Sequence, residues 1–352
     1  MSLDFFSFNN KINKKDSTVM IKSIRSLMGL GNSLFEAIKL QQEIETGKNA
    51  KIIKKIIYMV EEKNYSLEKL LYQYGIIDNS EYLILANSKD TKESLESIIK
   101  LRSVNNNFDK TLISLLSFPI AGFFIGIGIA KFLLPSISKP VNDLVKIAKI
   151  KKGIDIDETM NVPPSFYYIH HPEYVNYVFF GGLFLMIALF LTYQYLKKEN
   201  PSVLYKIMPL KAYDDIPFIF ILMRSLNKGG LDLYTIADKL YKSDIGKGWK
   251  IFFLRLKRRI EKRGDIYPVF KNFGFPKQIY IIIKVSEKSK AFWENFDNMI
   301  TYSQEVNTFK NEEIRDRWKS ITVILGYVEV IYYIVGILLL MLSMQNIVTA
   351  LQ

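Results

Sequence analysis

Few residues in this chain could do catalytic chemistry. His170 and His171 are its only imidazoles. Adjacent residues on one helix or strand point apart and rarely share a metal, so the pair reads as a surface or interfacial feature. Cysteine is absent, which excludes disulfides, thiolate metal sites and thiol nucleophiles. No phosphate-binding glycine loop, dinucleotide glycine fingerprint, nucleophile elbow or zinc-ligand spacing occurs. What remains is charge in unusual places. Between positions 250 and 263 stand Lys250, Arg255, Lys257, Arg258, Arg259, Lys262 and Arg263. Such a run is either a solvated helix face or a contact with acidic lipid or an acidic protein surface. Lys250, Arg255, Arg258 and Lys262 are its candidate contact residues. The surrounding region favours a contact, since residues 197–320 hold 25 basic and 15 acidic side chains, against 17 and 14 in residues 1–110. Glu329 is the other anomaly. It is the sole charge in residues 321–344, ten residues beyond Lys319 and hence about 15 Å along a helix. An ionised carboxylate in an apolar span is costly, so Glu329 is expected to be protonated, paired or facing a cavity, and it either serves packing or ligand engagement or is simply tolerated at a protein–protein contact.

Three apolar stretches must position these groups. Residues 174–196 contain no charge and are fenced by Glu173 on one side and Lys197 and Lys198 on the other. A helix of this length reaches about 34 Å, enough for a hydrocarbon core of about 30 Å. Residues 111–130 lie uncharged between Lys110 and Lys131, and residues 321–344 form the third candidate. The first includes Gly122 and Gly126, whose spacing would let another helix approach closely. Residues 131–173, which contain Pro135, Pro140, Pro163 and Pro164, read as a connecting segment with one helix from 139 to 151. The N-terminus lacks a basic region followed by an apolar core, which predicts insertion through the internal spans. The net charge of +13 suits an anionic membrane surface or a nucleic acid, and the spans favour the membrane.

The remaining chain is patterned as helix. After an irregular arm at 1–16, the first region (17–110) divides into helices at 18–28, 34–45, 51–62, 66–71, 80–87 and from Thr91 onward. Ser33 with Glu36 forms a capping box, and Gly29, Gly31 and Gly47 punctuate the elements. The second region (197–320) repeats that order. Asp215 and Pro217 open a helix to Leu226, Asp232 caps 233–242, and 248–262 carries Trp249, Phe252, Phe253, Leu256 and Ile260 in one apolar stripe. Residues 276–286 follow, then a long helix from 291 to 319. Ser26, Leu27, Gly31, Ser33, Leu34 and Gly75 correspond at a constant spacing of 199 to Ser225, Leu226, Gly230, Asp232, Leu233 and Gly274. That spacing grows to about 209 over the last helix. Matched punctuation, with each region followed by a span, predicts an all-α polytopic membrane protein with two duplicated six-helix cytoplasmic bundles and three transmembrane helices. Positive charge within 20 residues of the spans totals twelve on the domain side and four on the other, which puts both domains in the cytoplasm and residues 345–352 outside.

With these residues in view, the chain resembles, over roughly 17–345, the inner-membrane platform proteins of type IV pilus and type II secretion machines. The likeness rests on Ser26–Ile38 and Arg224–Ala237 around Gly31 and Gly230, on Asn64-Tyr65-Ser66-Leu67, on Phe118-Pro119, Met208-Pro209 and Phe275-Pro276. The family's Gly-Glu-x-Ser-Gly segment is reduced to Ser286-Glu287-Lys288-Ser289-Lys290 and Ser88-Lys89-Asp90-Thr91-Lys92. The resemblance implies no enzymatic activity and no cofactor. It implies a homo-oligomer in the bacterial inner membrane that couples a cytoplasmic assembly ATPase to the movement of pilin or pseudopilin subunits, in contact with membrane lipid and other inner-membrane machine components. The competing class is a transporter subunit with Glu329 as its coupling carboxylate. A nucleic-acid partner is not expected, since it would rest on charge alone.

Overall fold

The computed structural model describes residues 11–104, 107–133, 173–289 and 292–351, with scattered helical positions between 136 and 150. His170, His171, most of the expected 139–151 helix and the first ten residues lie outside it. Among the described residues the chain is all-helical, with no strand. Helices α1 (Lys14–Gly29), α2 (Leu34–Ile44), α3 (Gly47–Glu61), α4 (Leu67–Gln73), α5 (Asn79–Ala86) and α6 (Thr91–Ser103) make the first region. Then come α7 (Asn107–Gly128), a π-helical turn (Ile129–Leu133) and α8 (Glu173–Glu199). The second region holds α9 (Pro201–Ile207), α10 (Pro209–Lys228), α11 (Leu233–Lys242), α12 (Lys247–Glu261), α13 (Tyr267–Phe273), α14 (Lys277–Ser286) and the start of α15 (Phe292–Leu351).

Local chemistry sets the boundaries, and in places moves them from the expected ones. Helix α1 starts at Lys14 rather than 18, because the Asn13 side chain accepts the Asp16 N–H at 2.8 Å and caps an extra turn. The Ser33 capping box opens α2 as expected, and Asp232 opens α11 by accepting from Thr235. Helix α10 begins at Pro209, so Asp215 and Pro217 lie inside it rather than at its start. Proline suits the first helical position, and Lys211 then bridges Asp214 and Asp215 across the first turns. The last helix is not split into stalk and span: α15 runs 60 residues without a break. The corresponding α6 stops at Ser103, where Val104 turns extended. The spacing between the starts of α6 and α15 is therefore 201, and the extra length lies beyond that point.

Every left-handed backbone position in the described chain recurs at one spacing. Gly31, Gly47, Asn64 and Gly75 have φ between +50° and +100°, and the residues 199 further on, Gly230, Gly246, Arg263 and Gly274, have φ between +50° and +98°. L-residues avoid this region, so each position fixes a sharp exit from one helix into the next. An ion pair recurs as well: Arg25 with Glu96 in the first region, Arg224 with Asp297 at 3.0 Å in the second.

The chain forms two compact units. One comprises residues 1–108 and 195–309, so both helical regions belong to a single body, and the other comprises 109–194 and 310–352. In the first unit the cores differ in material. The first region packs Met20, Ile21, Ile24, Ile38, Ile53, Ile56, Leu70, Ile84 and Ile98, all at 2% exposure or less. The second packs Phe220, Phe252, Phe270, Phe273, Phe275 and Phe296 around Tyr205 and Trp249, with ring centroids between 4.7 and 6.4 Å. Each buried apolar side chain of this size contributes about 1.5–3 kcal/mol, so either composition can hold such a bundle if its volume is filled. Helix α10 is buried on nearly all sides, because α5 and α6 of the first region cover its second apolar face.

In the second unit, Gly122 and Gly126 are buried on α7. The close approaches are made by glycines of the neighbouring helices: a Cβ on Gly182 of α8 would stand 2.5 Å from the Phe123 ring, and one on Gly326 of α15 would stand 3.1 Å from the Phe118 carbonyl oxygen. Tyr193 of α8 donates a hydrogen bond to Asp109 of α7. Two stretches among the described residues, one ending at Gly128 on α7 and the other Phe180–Glu199 on α8, are long and apolar enough to cross a membrane. Residues 321–344, the third expected span, are helical within α15.

Candidate partner surface and the polar sites behind it

Helix α12 exposes basic side chains because its other face is needed for the core. Trp249, Phe252, Phe253 and Leu256 are buried and Ile260 packs against them, which turns Arg255, Arg258, Arg259 and Lys262 outward. Arg255, Arg258 and Lys262 follow a spacing of three and four and so share one side. None of the three has an ion-pair partner among the described residues. Lys250 stands apart from them, half-buried near the start of the helix. Lys257 is tied back to Asp238 of α11 at 2.8 Å, and Lys242 meets the same carboxylate at 2.6 Å. Hydrogen bonds from these two lysines hold the Asp238 carboxyl below the usual aspartate value. Arg259 folds over Gly264 to donate to the Asp265 carbonyl at 3.0 Å. The arrangement is an exposed basic surface on one side of α12.

The reduced Gly-Glu-x-Ser-Gly segments now have separate uses. In the second region Glu287 accepts from the backbone N–H groups of Ile266 and Tyr267, the latter at 3.0 Å, and so caps α13, whose own N-cap Ile266 offers no side-chain acceptor. Burial pushes the Glu287 carboxyl above its ordinary value, against the pull of those two amides. In the first region Ser66 caps α4 locally, and the position matching Glu287 is Lys89. Lys89 instead lies across Gly230, while the Asn87 carbonyl oxygen would be 2.2 Å from a Cβ on Gly229. Lys228 completes this junction by meeting Glu93 at 2.7 Å.

Two buried ionic clusters escaped the sequence reading. Arg102 binds Glu81 through Nε and Nη2 at 2.5 and 2.6 Å, and also donates to Ser17, Thr18 and the Ile76 carbonyl. At the root of α10, Lys211 Nζ meets Asp214 at 2.8 Å and Asp215 at 2.9 Å, with Lys211 and Asp214 fully buried. Burial opposes the Lys211 charge, but Asp215 and Asp214 outweigh it and hold the ammonium pKa above the ordinary value. The one sequence signal was the Lys-x-x-Asp-Asp spacing of 211–215, which also describes any solvated helix turn.

Among the described residues no group of three or more His, Asp or Glu side chains is arranged to hold a metal. Glu329 lies on α15, and its side chain is outside the described ones. Gly122 and Gly126 belong to the second unit and the α12 basic face to the first. Comparison with protein-family models and with curated protein sequences finds no match.

Proposed function

We propose that this chain is a non-enzymatic, polytopic platform of the bacterial inner membrane, built from two copies of one six-helix domain and three membrane spans. In this reading it couples a cytoplasmic assembly ATPase to the insertion or extraction of pilin-like subunits. The observation that carries the duplication is the recurrence of all four left-handed positions at a spacing of 199, alongside the matched caps at Ser33 and Asp232. Loop conformations that cost free energy in an L-chain would not align across two unrelated bundles. The platform role is supported by the resemblance in domain and span order, together with the unpaired basic face of α12, which suits an acidic partner.

Co-purification of the full chain with a cytoplasmic assembly ATPase of the same cell tests the reading. The wild-type chain should retain the ATPase, and the triple variant Arg255→Glu, Arg258→Glu, Lys262→Glu should lose it while remaining inserted. Failure of the wild-type chain to retain it removes the platform reading. Equal retention by both chains makes the basic face a solvated surface only.

A further inference from the structure

Asp214 receives three donors from three parts of the chain: Lys211 Nζ at 2.8 Å from its own helix, Asn307 Nδ2 at 3.0 Å from α15, and the Phe108 backbone N–H at 3.4 Å from the first turn of α7. Asp215 accepts from Tyr205 of α9 at 3.0 Å. Four helices thus meet on three charges. Stability alone does not call for such a cluster. A buried ion pair is often replaceable by apolar residues at no loss, and the rest of α10 shows that apolar packing is available there. What the cluster adds is direction, because a carboxylate bonded to specified donors accepts one register, whereas apolar faces can slide. Its placement gives that direction a use. Asp214 supplies a carboxylate to the N-terminal end of α7, where backbone N–H groups lack helical partners and the dipole favours negative charge. Asn307 is the last buried residue of α15 before the helix continues out of the first unit. The two helices that leave this body for the second unit, at 108 and 309, therefore both bond the Asp214 side chain where they leave it, while the start of α15 is held on α10 separately, by Phe296 against Phe220 and Asp297 with Arg224.

We infer that the Lys211–Asp214–Asp215 cluster is a releasable joint that holds the first turn of α7 and the outgoing part of α15 around Asn307 on the second helical region, so that opening it frees these two segments together without unfolding the bundle. The inference rests on chain continuity and hydrogen bonding, and stands apart from the platform reading. The full chain in nanodiscs offers the test, since the lack of cysteine allows clean introduction of spin labels at the exposed positions Thr308 and Lys242. Asp214→Asn keeps the volume but removes the charge, and Asn307→Leu removes only the α15 donor and serves if the first variant does not fold. Each should turn a single narrow label distance into two populations. Asp214→Asn should in addition lose hydrogen-exchange protection in the first turn of α7, while peptides of α11 and α12 keep theirs. Ile236→Ala, a cavity in the core of the same region, should lower stability and change neither readout. Unchanged distances and protection in the folded variants, or the same changes in Ile236→Ala, would overturn the joint.

Discussion

Arg102 and Glu81 show what a buried charge does in this chain. The guanidinium is 7% exposed and the carboxylate 2%, so both have lost water and depend on each other. Glu81→Ala should cost about 3–5 kcal/mol, because it leaves the cation buried without its anion and also breaks the Glu81 bond to the Asp78 N–H at the start of α5. Glu81→Gln should lose less. Thermal unfolding of the detergent-solubilised chain measures both, and equal losses would mean that the charge contributes nothing. Asp215 behaves differently. Burial pushes its carboxyl above the ordinary value, Lys211 opposes that, and Asp214 reinforces it. A carboxyl raised in the folded state contributes stability that is full below the unfolded pKa and is lost as pH rises through the folded one. The stability advantage of the wild-type chain over Asp215→Asn should therefore shrink as pH rises above about 4. An advantage that grows over that range would show the ionised form to be the favoured one.

At the scale of elements, much was legible in the sequence where a single residue dictates a backbone state. Ser33 with Glu36 and Asp232 open helices, and Gly31, Gly75, Gly230 and Gly274 close them, because caps and left-handed turns admit few residue types. The apolar stripe of α12 was legible through its period. Legibility failed where the deciding partner is distant in sequence. Nothing near Ile266 announces that Glu287, 21 residues away, caps α13, and nothing near Gly229 announces that the Asn87 carbonyl abuts it. The start of α10 was misplaced for a related reason: Pro217 reads locally as a helix opener, while burial on all sides carries the helix through it. These two remote contacts can be separated. Glu287→Ala should cost about 1–2 kcal/mol, the usual worth of a lost cap. Gly229 has an ordinary φ of −66°, so alanine there adds no backbone strain, yet it must displace the α5–α6 turn. Gly229→Ala should accordingly destabilise the chain by about 1–3 kcal/mol, as overpacking does. Adding Lys89→Ala should not restore it, since the obstructing atom is backbone. Rescue by Lys89→Ala in thermal melts would locate the crowding at the lysine instead.

For the whole molecule, the two helical regions share one compact body, because the second apolar face of α10, with Ile221 and Leu222, is covered by α5 and α6 rather than by solvent. The matching face of α1 is polar at Lys22 and Ser23, so the two halves are not interchangeable. The membrane topology then turns on α15. Two stretches among the described residues pass as spans on length and composition. Two crossings alone would return the chain to the side on which it began. Residues 321–344 are continuous helix, carry Glu329 as their sole charge and would reach about 36 Å. Basic residues precede them at Lys310, Arg315, Arg317 and Lys319, while residues 345–352 carry none, the bias that a third crossing in the proposed topology requires. Topology reporters fused near Lys242 and at Gln352 should therefore report opposite sides of the membrane, with Lys242 in the cytoplasm. Replacing Glu329 with leucine should leave that result unchanged and deepen the apolar span, whereas inserting two further acidic residues beside it should return Gln352 to the cytoplasmic side, each central charge costing about 2.5–3.5 kcal/mol. If the wild-type fusions already report one side, α15 lies along or beneath the membrane, the chain crosses twice, and the three-span platform falls with it.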